Sequence, residues 1–283
     1  MTNTQIKTWS TPVAAEEKRL IPCTLCGSFS FKTIFFCDGF SYVRCVSCSL
    51  VQINPQPLEA EVKRRYDINH GKDYLLYELN NEDTFLELEL LALGDVDFDG
   101  LKPGSILDIG CATGTLLAKL RDKGWESLGV EISIPQAEYG RQKRNLDIRN
   151  LPLEENSFPD DHFDVVYASH LIEHLNNPSS FVREVYRILK PGGHFFVTTP
   201  NIAGFQARLF KNRWRSAIFD HLYLFSKTTL TRLLGENGFK IEKIATWGGL
   251  AAGISPAFIK SLFDKAAKYF GFGDVMIVRA VKK

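Results

Sequence analysis

The apolar positions of this chain follow two different periods. Short apolar runs bounded by turn residues predict buried strands, and apolar residues three and four positions apart predict helices. From residue 99 onward the two patterns alternate, which favours a doubly wound α/β sheet. The predicted strands are 104–109, 126–130, 146–149, 162–168, 193–199, 239–246 and 274–281. The predicted helices are 114–123, 134–144, 178–190, 227–237 and 256–270.

The first 98 residues follow other patterns. Residues 1–20 are polar and predict a loosely docked tail. Residues 21–57 alternate apolar and polar positions over short distances, which predicts a small module of short strands. Residues 58–98 are rich in Glu, Leu and Tyr and have a helical period. We therefore expect a tail (1–20), a module (21–57), a helical lid or linker (58–98) and an α/β domain (99–283).

The module carries two Cys-x-x-Cys pairs separated by 18 residues. Cys23 with Cys26 and Cys45 with Cys48 have the spacing of a four-cysteine zinc ribbon. A core this small needs such a metal to be stable. The alternative is two disulfides, which are uncommon in a cytoplasmic chain. We interpret Cys37 as a packed thiol outside the ligand set.

Composition narrows the class of protein. The chain has 283 residues and a net charge of +1, so no global basic field points to nucleic acid or anionic lipid. Its N-terminus lacks an apolar signal core, and no apolar run approaches the roughly 20 residues of a membrane span. We predict a cytoplasmic protein that has no membrane partner.

The stretch 105–120 organises the α/β domain. An apolar strand ends at Gly110, passes through Cys111 to Gly114 and enters an apolar-periodic helix. Asp108 precedes this turn, and Glu131 follows the next strand at the spacing of a ribose-binding carboxylate. The turn is not Gly-x-Gly-x-x-Gly, which disfavours a pyrophosphate cradle. We interpret Cys111 as a small residue in the turn.

At these residues the chain resembles class I S-adenosylmethionine (SAM) dependent methyltransferases. The resemblance covers about two thirds of the chain, and its blocks are 107–114, 129–133, 163–166, 184–193 and 199–201. It implies a Rossmann-like seven-stranded sheet whose last two strands form an antiparallel, hairpin-like edge. Cys-x-x-Cys-Gly, Cys-x-x-Cys and Asn-Pro-x-Pro together are similar to a bacterial subgroup that carries zinc and acts on sugars and related metabolites.

The resemblance also implies how SAM is bound. Glu131 would hold the ribose, Leu153 and Glu154 would flank the adenine, and Asp108 with the glycine turn would face the methionine half. The full set of implied cofactor residues is Asp108, Gly110, Cys111, Gly114, Glu131, Ile132, Leu153, Glu154 and Ser169.

Two histidines are candidates for the general base that would remove a proton from the methyl acceptor. His170 opens a His-x-x-Glu-His stretch that ends at His174, and His221 lies in an insertion after the fifth strand. The stretch is compatible with an inverted zincin signature, with the start of a helix beside the transferable methyl, or with a divalent-metal site. Related magnesium-binding methyltransferases have an acid at position 170, which weakens the magnesium interpretation. A bracing role for Glu173 and His174 also stays open.

The acceptor would lie near the same insertion. Tyr66 and Tyr74 are candidates for a lid contact, although a simple packing helix is equally compatible. Asn201 ends the fifth strand. Arg213 and Trp214 belong to a basic stretch with Arg208, Lys211 and Arg215, which suits a phosphate or a diphosphate. A solvated surface is the alternative interpretation.

The resemblance implies an enzyme that transfers a methyl group from SAM to a hydroxyl or amine of a small molecule, such as a nucleotide-linked sugar or a surface-polysaccharide precursor. C-methylating relatives carry a further C-terminal domain, so O- or N-transfer is expected. An RNA methyltransferase with a zinc module is the alternative enzyme, against which the balanced charge argues. A catalytically silent partner protein is the non-enzyme alternative.

Overall fold

The computed structural model describes residues 17–64, 68–249 and 257–283. Most of the predicted tail therefore lies outside the described residues. Within the described residues, no helix combines the length and the apolar character that a membrane span requires.

A seven-stranded sheet forms the centre of the α/β domain. Its spatial order is β12-β13-β10-β9-β6-β7-β8. The strands are β6 (Ser105–Ile109), β7 (Glu126–Val130), β8 (Asp147–Arg149), β9 (Phe163–Ser169), β10 (Leu189–Pro200), β12 (Phe239–Trp247) and β13 (Val275–Lys282). Strands β8, β7, β6, β9 and β10 run parallel, and β13 pairs antiparallel with β10 and with β12.

The predicted sheet is confirmed, including the antiparallel last strand. The expected hairpin-like edge is formed by β12 and β13, which pair antiparallel. Strand β13 inserts between β10 and β12, so β12 forms the edge and runs parallel to β10. The buried position suits β13, because its residues 275–278 and Ala280 are fully or almost fully buried.

Helices cover both faces of the sheet. They are α1 (Glu59–Arg64), α2 (Ile68–Asp95), α3 (Thr115–Asp122), α4 (Ile134–Arg144), α5 (Pro178–Ile188), α6 (Phe205–Phe210), α7 (Lys227–Glu236) and α8 (Ala257–Phe270). In α5, Phe181, Val185 and Ile188 recur on one buried face, and the Asn177 side chain accepts the Ser180 N–H at 3.0 Å. This cap satisfies an amide that would otherwise lack a partner in the first turn.

The N-terminal module is continuous with the α/β domain. Its strands are β1 (Lys18–Arg19), β2 (Phe31–Cys37), β3 (Phe40–Cys45), β4 (Val51–Ile53) and β5 (Gln56–Pro57). Strand β11 (Tyr223–Leu224), from the insertion that follows β10, pairs antiparallel with β4. A four-stranded sheet in the order β11-β4-β3-β2 therefore joins the two regions, and their apolar side chains form one core cluster.

Candidate active site

The turn after β6 has the backbone geometry that its glycines predict. Gly110 and Gly114 have φ angles of 76° and 75°, in the left-handed region that glycine adopts without a steric penalty. The amide of Gly110 donates to the carbonyl of Val130 at 2.8 Å, which ties the turn to β7. A side chain on Gly114 would also overlap Leu146. Gly110 therefore leaves half-buried backbone without a side chain at the carboxyl edge of the sheet, and Gly114 makes room for Leu146.

Glu131 lies against this turn. One carboxylate oxygen accepts the Ala112 N–H at 3.0 Å, and the other accepts the Ser133 N–H at 2.7 Å. Burial raises the pKa of Glu131 to about 7, although these backbone bonds act in the opposite direction. Each carboxylate oxygen can accept a second hydrogen bond. The geometry therefore fits the predicted role as a ribose acceptor.

The other residues implied for the cofactor have different environments. Asp108 and Cys111 are buried, and burial raises the pKa of each well above its ordinary range. A thiol of this kind is unreactive. Leu153 is buried, Ser169 is half-buried, and Ile132 and Glu154 are exposed. Asp108, Glu131 and Ser169 lie at or beside the carboxyl ends of neighbouring strands.

Helix α2 brings acidic side chains to the same edge. Glu78 accepts hydrogen bonds from the Thr113 N–H at 2.9 Å and the Thr113 hydroxyl at 2.8 Å. Glu82 forms an ion pair with Arg144. Glu89 lies 3.4 Å from the Tyr167 hydroxyl, and burial raises the pKa of Glu89 to about 7. These three acids were not among the residues predicted from the sequence.

The segment after β9 turns sharply. His170 has φ 50°, and residues Ile172–His174 form a single 3₁₀ turn, so the regular helix required by the inverted zincin spacing is absent from this described segment. His170 Nδ1 lies 3.2 Å from Glu173 Oε1, while the Thr199 hydroxyl donates to Glu173 Oε2 at 2.9 Å. Glu173 is fully buried. Burial alone would raise its pKa, but His170 and the neighbouring imidazoles outweigh that effect and lower it to about 2.

His221 joins this group from the insertion. Its ring centroid lies 4.7 Å from that of His174, at an angle of 83°. Its Nδ1 lies 2.8 Å from the Ser216 carbonyl, which can only accept, so Nδ1 carries a proton and Nε2 is the acceptor of the neutral ring. Burial lowers the pKa of His221 to about 4. Potential ligand atoms of Glu173, His174 and His221 all lie within 4.8 Å of one another.

The predicted acceptor residues that the structure describes are partly buried within the fold. Tyr66 lies outside the described residues. Asn201 is fully buried, and its side chain donates to the Gly273 carbonyl at 2.9 Å and accepts the Ala203 N–H at 3.1 Å. Trp214 is 2% exposed, and its indole N–H donates to Asp274 at 2.5 Å.

The basic stretch around Trp214 is divided between two environments. Arg215 pairs with the fully buried Asp274 carboxylate at 2.9 Å. Arg208 and Arg213 are exposed. Lys211 is also exposed, and Arg215 keeps more than half of its side chain accessible although it pairs with Asp274. Arg208, Lys211 and Arg213 are therefore the exposed cations of this stretch without an ion pair to Asp274. Substrate contacts by Asn201 and Trp214 stay predictions.

Four cysteines form the second candidate site. The Cys23–Cys48 and Cys26–Cys45 sulfur pairs lie 3.4 and 3.5 Å apart, and all four sulfurs lie within 4.8 Å of one another. Tetrahedral zinc with bonds of about 2.3 Å requires sulfur separations of about 3.8 Å. The six cysteines, all of which lie among the described residues, form no disulfide. Cys37 lies apart from this cluster, and its thiol donates to the Ala217 carbonyl at 2.8 Å.

Comparison with known proteins identifies the family. A family model described as a methyltransferase domain matches residues 80–244, from within α2 to within β12. The chain belongs to this methyltransferase family.

Similar proteins agree with that assignment. The ubiquinone biosynthesis O-methyltransferase of Acinetobacter baylyi is 29% identical over 163 residues, which are 54% of this chain and 65% of that protein. A protein with the same name from Acinetobacter baumannii is 31% identical over 109 residues, which are 36% of this chain and 46% of that protein. The methyltransferase chain thus spans about half the length of the first curated relatives it matches.

A solved structure has the same fold. A SAM-dependent methyltransferase of Thermotoga maritima, described as a possible histamine N-methyltransferase, superposes with a TM-score of 0.58 at 23% identity. The match covers 77% of this chain and 100% of that one. The sequence-based prediction of the class I methyltransferase fold is confirmed.

Several residues that contact the candidate site of this methyltransferase were not predicted from the sequence, and they lie outside the glycine turn. Glu78, Glu82 and Glu89 are spaced so that they share one face of a helix, which was a readable signal. Thr199 and Ser216 gave no such signal, because their roles depend on contacts with Glu173 and His221.

Proposed function

We propose that this methyltransferase transfers the methyl group of SAM to a hydroxyl or amine of a small molecule, with a nucleotide-linked sugar or a related surface-polysaccharide precursor as the favoured acceptor. The observation that carries the proposal is that Glu173 links the strand edge at His170 to His221 of the insertion. Leu171, next to His170, lies against Gly110 of the glycine turn, which supports a proposal that joins this proton acceptor to a cofactor on that turn.

The charge of the site supports SAM as the cofactor. SAM carries a sulfonium and an ammonium group, and buried carboxylates suit both. Glu131 offers free lone pairs to the ribose hydroxyls, and the Gly110–Gly114 turn offers backbone to the methionine half. Together with Ile132, Leu153, Glu154 and Ser169, these residues form the proposed cofactor site.

His221 is the proposed base. The Ser216 carbonyl fixes its tautomer, so Nε2 can take the proton of the acceptor hydroxyl. The nearby Glu173 carboxylate stabilises the imidazolium that forms. The enzyme needs only to hold the acceptor oxygen about 3–3.5 Å from the methyl carbon, in line with the bond that breaks. His170 is the alternative base, since it also contacts Glu173.

A divalent metal is a second use of the same residues. Glu173, His174 and His221 would hold it, and two imidazoles with one carboxylate suit a transition metal better than magnesium. A bound cation would lower the pKa of the acceptor hydroxyl. Elemental analysis after equilibration with the ion separates the alternatives, because a metal here adds a second ion per chain to the zinc of the cysteine cluster.

The cysteine cluster is the proposed zinc site. Cys23, Cys26, Cys45 and Cys48 already have nearly the separations that zinc requires. The amides of Gly27 and Ser49 donate to the carbonyls of Cys23 and Cys45 at 2.8 and 2.9 Å, so the two pairs form matching turns. This repeat supports a structural ion in preference to two disulfides.

The acceptor is proposed to be a small molecule rather than RNA. The net charge of +1 provides no field for a polyanion. The exposed Arg208 and Arg213 suit a single phosphate or a diphosphate. The named relatives include ubiquinone biosynthesis O-methyltransferases, whose name indicates transfer to oxygen. The cytoplasmic location stays a prediction.

The test is a transfer assay with SAM labelled in its methyl group. Binding of SAM is measured first by calorimetry, and nucleotide sugars, simple amines and ribosomal RNA are then offered as acceptors. We expect micromolar-range SAM binding and label in a nucleotide sugar. Label in RNA would move the assignment to the RNA alternative, and the absence of any SAM affinity would favour the silent partner protein.

A further inference from the structure

Glu78 lies where the long helix α2 crosses the cofactor turn. Helix α2 contacts both α3 and α4, the two helices that follow β6 and β7. The Glu78 carboxylate accepts both the backbone and the hydroxyl hydrogen of Thr113, and Thr113 is the residue before Gly114. Glu131 accepts the preceding amide, that of Ala112. Successive amides of one turn therefore bind carboxylates from two different elements.

The second carboxylate oxygen of Glu78 is buried without a described hydrogen-bond donor. Glu78 is 7% exposed, and both of its described hydrogen bonds use Oε1. Oε2 is buried and has no hydrogen-bond partner among the residues that the structure describes. A buried carboxylate oxygen without a partner is costly, so an occupant that donates hydrogen bonds is expected there.

The acidic side chains around this oxygen favour a positively charged group as the occupant. Glu131 is near enough that its pKa, raised chiefly by burial, is raised further by the charge of Glu78. Arg144 is the neighbouring basic side chain, but its guanidinium is bonded to Glu82 and to the Thr113 carbonyl at 2.9 Å. A positively charged ligand group would relieve the repulsion between the acids and satisfy the free oxygen.

SAM has two positive groups, and only one of them donates hydrogen bonds. The sulfonium has no N–H or O–H, whereas the α-ammonium offers three donors. The adjacent N-terminus of α3, which begins at Thr115, presents amides that favour a carboxylate. An amino acid end placed on this turn would have its carboxylate toward those amides and its ammonium toward Glu78.

We propose that Glu78 binds the α-ammonium group of SAM through its second carboxylate oxygen, which makes helix α2 part of the cofactor site. This inference rests on the SAM-dependent function proposed above. Thr113 positions the carboxylate through Oε1, and the ligand engages Oε2. Helix α2 would then recognise the amino acid end of the cofactor directly.

The experiment uses Glu78→Gln in the full chain. A glutamine keeps a carbonyl oxygen for Thr113 and replaces the second oxygen with an NH₂ group, which cannot accept from an ammonium. Calorimetry compares SAM, S-adenosylhomocysteine and 5′-methylthioadenosine. The first two carry the ammonium, and the third lacks the whole amino acid end.

We expect Glu78→Gln to weaken SAM and S-adenosylhomocysteine by similar factors, roughly tenfold to a hundredfold, the range for hydrogen bonds to charged groups. Binding of methylthioadenosine should stay within about twofold of the wild-type value, because its contacts remain intact. Glu87→Gln is the matched control, since it removes the same charge from an exposed position of α2 and should leave all three affinities unchanged. The melting temperature of each variant verifies folding.

Four results would overturn the inference while leaving SAM binding itself intact. They are an unchanged SAM affinity, an equal loss for all three ligands, a loss confined to SAM that would indicate the sulfonium, and a tighter SAM complex that would mean Glu78 blocks the site. A wild-type chain that binds none of the ligands would instead overturn the proposed function, and this inference with it.

Discussion

The proposed cofactor side and the proposed acceptor side of this methyltransferase are built in different ways. On the cofactor side, Glu131 bonds to Ala112 and Ser133, residues that lie close to it in the chain. On the acceptor side, the Tyr42 hydroxyl donates to the His221 carbonyl at 2.9 Å, and Cys37 donates to Ala217, across about 180 positions. One side is a local strand-turn-helix unit, and the other forms only after distant segments meet.

Because the acceptor side depends on distant contacts, its stability should depend on the N-terminal module. The segment that carries His221 is held by β4 through β11, by Tyr42 and by Phe40, whose ring stacks on Phe219. These residues belong to the module with the four cysteines, whose folding requires a metal if it behaves like other small zinc modules. We therefore expect damage to the module to disable transfer before it disables SAM binding.

The largest effect is expected from Cys45→Ser. Structural zinc in small modules contributes on the order of 10 kcal/mol to folding, so loss of a ligand should release zinc and misplace the His221 segment. Methyl transfer should fall below detection while calorimetry still finds SAM affinity within a few-fold of wild type.

Cys37→Ser is the control for that change. Cys37 lies outside the cluster, and a serine hydroxyl can still donate to the Ala217 carbonyl. Elemental analysis should find one zinc per chain at the cysteine cluster in this variant. Full activity in zinc-free Cys45→Ser would show that the two sides are not coupled through the module.

The next largest effect is expected from His221→Ala. Loss of a general base typically costs 10²- to 10⁴-fold in rate, whereas SAM affinity should change little. Single-turnover transfer and calorimetry on the same preparation measure the two quantities. If His170→Ala is the inactive variant and His221→Ala is active, the roles are reversed, and if both are active, transfer proceeds by proximity alone.

On the cofactor side, Glu131→Ala should weaken SAM binding by roughly 10- to 150-fold, since hydrogen bonds to charged groups are worth about 1.5–3 kcal/mol. Glu126→Ala removes a carboxylate from the exposed, opposite end of the same strand and should leave the affinity unchanged. Calorimetry that finds wild-type affinity in Glu131→Ala would contradict the placement of the ribose.

Titration of Glu131 should also make SAM affinity depend on pH, with a smaller effect than the substitution. The pKa of Glu131 is raised to about 7 in the protein without ligand, and the ionised form is the better ribose acceptor. Lowering the pH through 7 protonates the carboxylate, so SAM affinity should fall, by roughly tenfold between pH 8 and pH 6. A flat profile between these values would mean that Glu131 does not titrate there or does not contact SAM.

The smallest effect is expected from Tyr42→Phe. This change leaves the ring in the core and removes a hydroxyl that donates to the Ile218 and His221 carbonyls, which should cost about 1–3 kcal/mol of stability. Denaturant unfolding measures that loss, and transfer should slow at unchanged SAM affinity. Tyr269→Phe changes an exposed tyrosine and should leave stability and transfer unchanged. If Tyr42→Phe is as stable as the Tyr269→Phe control, the proposed coupling between the module and the His221 segment is wrong.

Helix α2 lies between these two cases. Its helical character was predicted from a local period, and the acids that share one face were visible in the sequence. Their target was not visible, because the Glu78–Thr113 contact joins residues 35 positions apart through the docking of a helix. A periodic pattern indicates which face of a helix carries the acidic side chains, but not which residues that face contacts.

The sequence by itself determined the order of strands and helices, the glycine turn, the placement of Asp108 and Glu131, and the grouping of the four cysteines. These features depend on periods and spacings within about 30 residues, where chain connectivity limits the arrangements. Only the tertiary structure decided that β13 lies inside the sheet, that Trp214 and Asn201 are buried, and that His221 meets Glu173. Those outcomes depend on which distant surfaces pack together, and burial then sets the hydrogen-bond partners and the pKa of each group.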